Sequence, residues 1–374
     1  MIGLGSRRSC AKSLGSLVLA ATVALACLFP SGAAAAKPPP LYWGAMIGSQ
    51  LTGTAAPWDM NAVTAFEKYT RKSPSLVEFS APFAECYEKP CKSYPFAFTA
   101  MQQIRERGAI PFFSWGSQSI PSSVNEKAYR LKRIANGAFD PYIRQFAEEA
   151  KAWGHPFFLR FNWEMNGFWF PWGAGANGNT PKEFVAAWRH VHNIFSRVGA
   201  NNATWVWCPN VDFTRKLEPL NALYPGNRYV DWTCVDGFNW GNTELSAGWM
   251  SFNEIFSETY ERILKIAPKK PMVIGETASE ERGGSKAAWI RRMLELIPQK
   301  YKKVRALAWL DERDQGMNWP LESSPSAASA FAKGIGRSIY RPGIYSHLRN
   351  GKIKPPTWGP PPTEPEPLSA EAGS

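Results

Sequence analysis

Histidine and cysteine are scarce in this chain of 374 residues, which has four of the first and six of the second. It contains neither a Cys-x-x-Cys motif nor a histidine cluster, the usual ligand patterns of structural zinc. We therefore expect no metal ion and no other cofactor. Acidic residues are in the minority, with 31 Asp and Glu against 43 Lys and Arg. The basic residues form no concentrated stripe, so we expect no nucleic-acid partner.

The first 36 residues have the composition of a secretory signal peptide. Arg7, Arg8 and Lys12 form a basic region, an apolar run follows from Leu14 to Phe29, and Ala33 to Ala36 offer a cleavage site. A membrane anchor is the alternative, but the apolar run is short for a spanning helix of about 20 residues. We predict a secreted, extracellular protein, or one in the periplasm or envelope, with no stable membrane insertion after cleavage.

Export makes disulfide bonds possible, and two of the six cysteines would leave with the signal. Cys86 and Cys91 flank a predicted loop, whereas Cys208 and Cys234 lie in consecutive predicted strands. We therefore predict the bridges Cys86 to Cys91 and Cys208 to Cys234.

Eight short apolar runs follow the signal, and helical patterns separate them. Alternation of this kind predicts a parallel sheet, and about 320 residues suit a single eight-stranded α/β barrel. We predict one (β/α)8 TIM barrel over residues 37–354. Its strands are predicted at Tyr42 to Ile47, Leu76 to Phe79, Ala109 to Trp115, Pro156 to Trp163, Ala203 to Cys208, Val230 to Phe238, Met272 to Gly275 and Val304 to Trp309.

Helices are predicted between these strands and after the last one. Thr180-Pro181-Lys182-Glu183 combines a capping box with proline at the first helical position, and Asp140-Pro141 repeats the cap followed by proline. The connection from Asp212 to Tyr229 has only a weak helical pattern. The composition of residues 355–374 is dominated by proline, glutamate and small residues, which predicts a flexible tail.

Two glutamates, Glu164 and Glu276, each end an apolar run, the fourth and the seventh. The carboxyl ends of barrel strands carry the catalytic residues, so both side chains are expected to face one cleft. A retaining glycosidase needs two carboxyl groups roughly 5 Å apart, one to protonate the leaving oxygen and one to attack the sugar. The alternative is a pair of ordinary surface or ion-paired glutamates.

These residues also resemble a known family. Arg160 through Gly167, followed by Trp169 and Trp172, resembles the Arg-x-x-His-Glu-Met-Asn-Gly segment of glycoside hydrolase family 26. Pro271 to Thr277 resembles the nucleophile strand of that family, and the likeness extends over most of residues 41 to 345. The resemblance implies a retaining β-glycanase, often a mannanase, with Glu164 as acid/base and Glu276 as nucleophile.

Two positions depart from the family pattern. Trp163 stands where the family usually has a histidine before the acid/base, and Phe238 stands where it has a tyrosine on the sixth strand. The missing hydroxyl removes a hydrogen bond that would orient the nucleophile. The tryptophan changes which sugar hydroxyls can be bound, so both departures bear on the choice of substrate.

Further candidate residues surround the two glutamates. Arg160 points to the same side of its strand as Glu164 and could support the nucleophile or form a structural ion pair. Aromatic faces cover the apolar faces of sugar rings, and Trp309, at the end of the last strand, is the main candidate for the floor of the reactive subsite. The remaining predicted substrate-binding residues are Trp115, Trp163, Trp169, Trp172, Phe238 and Trp240, with Asn166 and Asn239 as hydrogen-bonding partners of sugar hydroxyls.

The sequence thus predicts a monomeric, secreted endo-β-glycanase that hydrolyses a β-linked polysaccharide, in the first place by endo-1,4-β-mannanase activity. A mixed-linkage β-glucan or a xylan is the alternative substrate. A barrel that binds polysaccharide with little turnover is the alternative of another class.

Overall fold

The computed structural model describes residues 37–212, 217–243 and 248–359. The predicted signal, residues 1–36, and residues 360–374 of the predicted tail lie outside the described residues. The first residues of that tail lie against the barrel, because Trp358 donates its indole N–H to the Pro38 carbonyl at 3.2 Å and Arg305 donates to the Pro356 carbonyl. Within the described ranges, no helix combines the length and the hydropathy needed to span a membrane.

Eight parallel strands form the centre of the molecule. They are β1 (Tyr42–Ile47), β2 (Leu76–Glu85), β3 (Ile110–Ile120), β4 (Phe157–Phe161), β5 (Ala203–Trp207), β6 (Trp232–Asn239), β7 (Met272–Ser279) and β8 (Val304–Asp311). Each strand pairs with the next along the chain, and β8 pairs with β1, so the sheet closes on itself. The predicted TIM barrel is confirmed.

The strands follow the predicted runs, but several extend further. Ser80, Ala81 and Pro82 follow Phe79 and interrupt the apolar run, so the second half of β2 was not predicted. That half is stabilised by β3 on one side and by a short antiparallel strand, Lys92–Ser93, on the other. A second small hairpin, Arg313–Asp314 paired with Met317–Asn318, follows β8.

The helices lie between the strands and after the last one, as predicted. They are α1 (Met60–Thr70), α2 (Phe98–Glu106), α3 (Leu131–Ala135), α4 (Asp140–Trp153), α5 (Pro181–Val198), α6 (Leu220–Leu223), α7 (Phe252–Ile266), α8 (Lys286–Lys300) and α9 (Pro325–Ile335). Thr180 and Glu183 form the predicted capping box of α5. Asp140 is the first residue of α4 rather than its cap, and its carboxylate contacts His190 at 2.6 Å.

Both predicted disulfide bonds are present. Cys86 is bonded to Cys91 after β2, and Cys208, directly after β5, is bonded to Cys234, the third residue of β6. The second bond crosses neighbouring strands of the barrel and lies beside Asp236, whose carboxylate oxygen is 3.2 Å from the Cys208 sulfur. It therefore ties these two neighbouring strands together.

Candidate active site

Glu164 stands at the carboxyl end of β4 in a backbone conformation that few residues adopt. Its φ is 52°, in the left-handed region, and its N–H donates to the Cys208 carbonyl at 2.6 Å. Non-glycine residues persist in this region when the surrounding structure holds them there, and they cluster at functional sites. The turn directs the Glu164 side chain, which is 7% exposed, over the end of the barrel.

Two hydrogen bonds hold the Glu164 carboxyl group. Asn210 donates to one oxygen at 2.6 Å, and Trp169 donates its indole N–H to the other at 2.6 Å. Burial and the nearby charge of Glu276 raise the pKa of Glu164 to about 7, although both hydrogen bonds act in the opposite direction. Glu164 is therefore a carboxylic acid that still holds its proton at mildly acidic pH, as a general acid must.

Asn166 fixes the residue that holds Glu164. Its amide donates to the Asn210 carbonyl at 2.9 Å, and the Asn210 N–H donates back to the Asn166 side chain at 2.9 Å. Asn166 is 2% exposed. It was predicted to bind sugar, but the structure places it behind the acid as a positioning residue.

Glu276 lies within β7, on the strand that faces Glu164 across the barrel end. Its N–H donates to Asp236 at 2.7 Å, and its carboxylate accepts a hydrogen bond from Arg160. The preceding residue, Gly275, leaves no room for a side chain, since a Cβ atom there would lie 2.6 Å from the Asp236 carboxylate and 3.0 Å from Arg160. The glycine is what allows these charged groups to gather beneath Glu276.

Arg160 is the centre of this network. Its guanidinium donates to Asp236 at 2.9 Å and to the Ser114 hydroxyl at 2.8 Å, in addition to Glu276. It also pairs with Glu78 of β2 at 2.6 Å, and Arg160 and Glu78 have no exposed surface. Of the two roles left open by the sequence, Arg160 takes both: it is a buried ion-pair partner and it orients the Glu276 carboxylate.

One cation cannot neutralise three buried carboxylates, so at least one of them carries a proton. Burial raises the pKa of Glu78 to about 8, and it raises the pKa of Asp236 as well. Both oxygens of Asp236 accept hydrogen bonds from N–H donors, whereas one oxygen of Glu78 has no partner among the described residues. These contacts favour the charged form of Asp236 and place the proton on Glu78.

Three tryptophans lie in the segment that follows β4 and carries Glu164. Trp163 lies over the Arg160 guanidinium at 5.1 Å and packs on Trp172 at 4.7 Å. Trp172 donates its indole N–H to the Trp163 carbonyl at 2.6 Å and is fully buried. Trp163 and Trp169 thus border the cleft, while Trp172 supports Trp163 from behind.

A second aromatic cluster lies beyond β6. Phe238 and Trp240 are partly buried and pack on Trp319 at 5.5 and 5.1 Å. Asn239, between them, is fully buried and uses its amide for Ser279 and for the N–H groups of Gly241 and Met250. Asn239 was predicted to bind a sugar hydroxyl, but these contacts make it the organiser of the loop after β6.

Two predicted substrate-binding tryptophans lie outside the cleft. Trp309, proposed as the floor of the reactive subsite, is fully buried against Trp289 of α8 and Phe331 of α9. Trp115 is fully buried and stacks on Phe146 of α4 at 4.2 Å. Both side chains alternate to the outer face of the barrel, where they fill the layer between strands and helices. The predictions used the strand ends correctly but assigned the wrong face.

Four residues of the site were not among the predicted site residues. They are Glu78 in β2, Ser114 in β3, Asn210 three residues after β5 and Asp236 within β6. Each carries a weak signal in the sequence, because a polar residue inside or directly after an apolar run must find a partner when it is buried. The partner itself, Arg160 or Glu164, lies many residues away along the chain.

The arrangement supports acid and nucleophile chemistry at one end of the barrel, with Glu164 protonated and Glu276 held by a guanidinium. It offers little to a metal ion. Within residues 37–212, 217–243 and 248–359, the sulfur atoms of Cys208 and Cys234 and the Asp236 carboxylate lie within 4.8 Å of one another. The disulfide bond occupies both sulfur atoms, so no thiolate pair remains there.

The chain is similar to known glycoside hydrolases. The model of glycosyl hydrolase family 26 matches residues 62–282. The chain is 39% identical over 217 residues to endoglucanase H of Acetivibrio thermocellus, a match that covers 57% of this chain and 24% of that protein. It is 30% identical over 155 residues to mannan endo-1,4-beta-mannosidase A and B of Caldalkalibacillus mannanilyticus, covering 40% and 27%. The matches thus span about a quarter of these curated relatives.

Solved structures show a similar barrel. The catalytic domain of a GH26 endo-beta-1,4-mannanase from Bacillus sp. JAMB-750 superimposes with a TM-score of 0.63 at 18% identity, covering 84% of this chain and 91% of that one. A double mutant of the Cellulomonas fimi endo-beta-1,4-mannanase gives 0.62 at 16% identity, covering 85% and 76%. At these identities the likeness establishes the fold.

Proposed function

Because the chain belongs to glycosyl hydrolase family 26, we propose that it is a retaining endo-β-glycanase with Glu164 as acid/base and Glu276 as nucleophile. The observation that carries the proposal is the contrast between the two carboxyl groups. Glu164 is buried with a pKa raised to about 7, while Glu276 is paired with Arg160. Such opposite environments assign the acid and the nucleophile in glycosidases.

The reaction proceeds in two displacements. The Glu276 carboxylate attacks the anomeric carbon, the bond to the leaving oxygen breaks, and Glu164 gives its proton to that oxygen. Glu164, now ionised, takes a proton from water, the water oxygen attacks the same carbon, and the ester to Glu276 breaks. Arg160 stays paired with Asp236 and Glu78 throughout, so the guanidinium keeps the position that Glu276 needs on its release.

At the two positions that depart from the family pattern, other groups surround the nucleophile. Phe238 has no hydroxyl to offer the nucleophile, and the Arg160 guanidinium supplies a hydrogen bond to Glu276 instead. Trp163 covers that guanidinium and places an indole there rather than an imidazole. Orientation of the nucleophile is therefore preserved, while the polar contacts offered to the sugar differ.

For the substrate, we propose a β-1,4-linked mannan, with mixed-linkage β-glucan or xylan as the alternative. The names of the two relatives, an endoglucanase and a mannosidase, support a β-linked polysaccharide. We further propose that the protein acts as a monomer after export directed by residues 1–36. A polysaccharide-binding barrel without turnover is the competing function. The network around Glu276 argues against it, because binding alone needs no oriented carboxylate.

The first experiment is hydrolysis of mannan, glucomannan, mixed-linkage β-glucan and xylan, recorded as reducing ends and product sizes. The protein is compared with Glu276→Ala and with Glu295→Ala, whose carboxylate lies exposed on α8. Activity on one polymer that disappears only in Glu276→Ala identifies both the enzyme and its substrate. Polymer that is bound but not cleaved by the folded protein would establish the binding alternative.

Azide then tests the two roles. In Glu276→Ala, azide can enter the space left by the nucleophile and gives a glycosyl azide of inverted configuration. In Glu164→Ala, azide attacks the glycosyl-enzyme and gives a product of retained configuration. Proton NMR of the azides distinguishes them, and the same configuration from both variants would contradict the assignment.

A further inference from the structure

Glu312 lies directly after β8, and its side chain is on the inner face of the barrel. Trp309 points outward, to α8 and α9, and Asp311 points the same way, since its carboxylate accepts the Leu321 N–H at 2.7 Å. Side chains alternate along an extended chain. Glu312 therefore points inward, to the side on which Glu276 lies.

The Glu312 carboxylate is half-buried and has no hydrogen bond or ion pair within the described ranges. Burial raises the pKa of Glu312, and the charges of Asp314 and Glu276 raise it further. A partly desolvated carboxylate among like charges is unfavourable for folding, and such groups in a cleft are candidates for function.

Gly48, which follows β1, leaves the space that the Glu312 side chain fills. Its φ of −75° is open to any residue, so the backbone does not require glycine. The packing around Gly48 does require it, because a Cβ atom there would lie 2.5 Å from Gln50 Oε1, 2.7 Å from Glu312 Cγ and 2.9 Å from Glu312 Cβ. The base of the Glu312 side chain is thus held in place, and its carboxylate remains for a ligand.

The position of Glu312 indicates which sugar of a bound chain would lie beside it. β8 is four strand positions from β4 in either direction around the barrel, so Glu312 stands opposite Glu164 and away from the leaving group. Trp309 is level with Thr277, the residue after Glu276, so Glu312, three residues later, lies further out than Glu276 at the end of the barrel. Because the leaving-group side of the cleft belongs to Glu164, the sugar available to Glu312 is the one next to the attacked sugar, on the non-reducing side.

We propose that the Glu312 carboxylate accepts hydrogen bonds from the hydroxyl groups of this second sugar and thereby selects neutral sugars there. The inference rests on the proposed glycanase function and extends it. A carboxylate accepts strong hydrogen bonds from hydroxyls. It repels a uronate, so a chain carrying uronic acid at this position is disfavoured.

The test uses 4-nitrophenyl β-mannobioside, β-cellobioside and β-xylobioside, which place two sugars on the non-reducing side of the cleaved bond. The unaltered protein is assayed first, and hydrolysis of none of the three by folded protein counts against the glycanase function itself. On the bioside that is hydrolysed, we expect Glu312→Ala to lower kcat/KM by 10- to 100-fold, and Glu312→Gln to lower it less, because the amide oxygen still accepts a hydrogen bond. Asp314→Asn, which removes a charge two residues away, should stay within twofold.

The matching 2,4-dinitrophenyl monoglycoside leaves the second position empty, and its hydrolysis should be unchanged in all three variants. Where its turnover is too slow to measure, calorimetric binding of the free disaccharide to Glu276→Ala replaces it, and adding Glu312→Ala should weaken that binding 10- to 100-fold. The proposal is overturned if Glu312→Ala matches the unaltered protein on the bioside, if bioside and monoglycoside fall equally, or if Asp314→Asn falls as far. Thermal melting verifies that each variant is folded.

Discussion

Trp169→Phe should make the enzyme lose activity at a higher pH than the unaltered protein does. The indole N–H is 2.6 Å from one oxygen of Glu164, and it stabilises the ionised form of that carboxyl group. Removing the donor therefore raises the pKa of Glu164 above its present value of about 7. Because an acid catalyst works only while protonated, the alkaline limb of the pH profile moves upward.

The size of the effect follows from the contact. A hydrogen bond to a charged group contributes about 1.5 to 3 kcal/mol, and the partly exposed indole belongs at the lower end. Since about 1.4 kcal/mol corresponds to one unit of pKa, the limb should move from about pH 7 to about pH 8. The value of kcat/KM at pH 6 should fall as well, because the phenyl ring covers less of the cleft.

The assay is the pH dependence of kcat/KM between pH 4.5 and 9.5 on the polymer that the protein hydrolyses. Trp240→Phe is the matched control, since Trp240 borders the cleft through Phe238 and Trp319 rather than through Glu164. An alkaline limb that stays in place in Trp169→Phe, or that moves equally in Trp240→Phe, would refute the account of how Glu164 is tuned.

Three further outcomes are expected, two from the network beneath Glu276 and one from the residues that hold Glu164. The pKa of Glu78 is raised by burial to about 8 from its ordinary 4.5, so the native state binds a proton that the unfolded chain has released, and stability falls as pH rises through that window. Glu78→Gln should remove this contribution to the pH dependence. The melting temperature of the variant minus that of the unaltered protein should therefore increase from pH 6 to pH 9. If this difference stays constant, the proton is not on Glu78. Arg160→Met leaves buried carboxylates without their cation and should cost about 3 to 5 kcal/mol in urea unfolding, whereas a loss below about 1 kcal/mol would mean that the carboxylates are largely neutral. Asn166→Ala frees Asn210 and should lower kcat/KM about tenfold, the equivalent of about 1.4 kcal/mol, and an unchanged value would show that Asn210 needs no such support.

The predicted elements came close to the observed ones where the pattern was periodic and bounded. β1 has the predicted limits, and Thr180 and Glu183 cap α5 as expected. The second half of β2 was missed because its polar and small residues break the apolar run, and only its neighbours β3 and Lys92–Ser93 stabilise it there. Local sequence carries no record of such pairing.

The residues of the candidate site were also predicted only in part. The sequence identified Glu164, Glu276 and Arg160, since each is a charged residue within or at the end of a strand that must cross the core. It misplaced Trp115 and Trp309, because an aromatic residue suits the sugar cleft and the layer beneath the helices equally well. Which face a strand residue occupies changes with a register shift of one residue, and the irregular pairing of β7 with β8 lies next to Trp309.

The sequence by itself therefore determined the barrel, the order of its strands and the two carboxyl groups at one end, because hydrophobic periodicity and strand ends are properties of neighbouring residues. The tertiary structure alone decided what surrounds those groups. Glu78 and Asp236 lie 82 and 76 residues from Arg160 along the chain, yet both contact its guanidinium. The pKa of Glu164 depends on burial and on charged residues from several strands. These residues come close to Glu164 only when the barrel has closed.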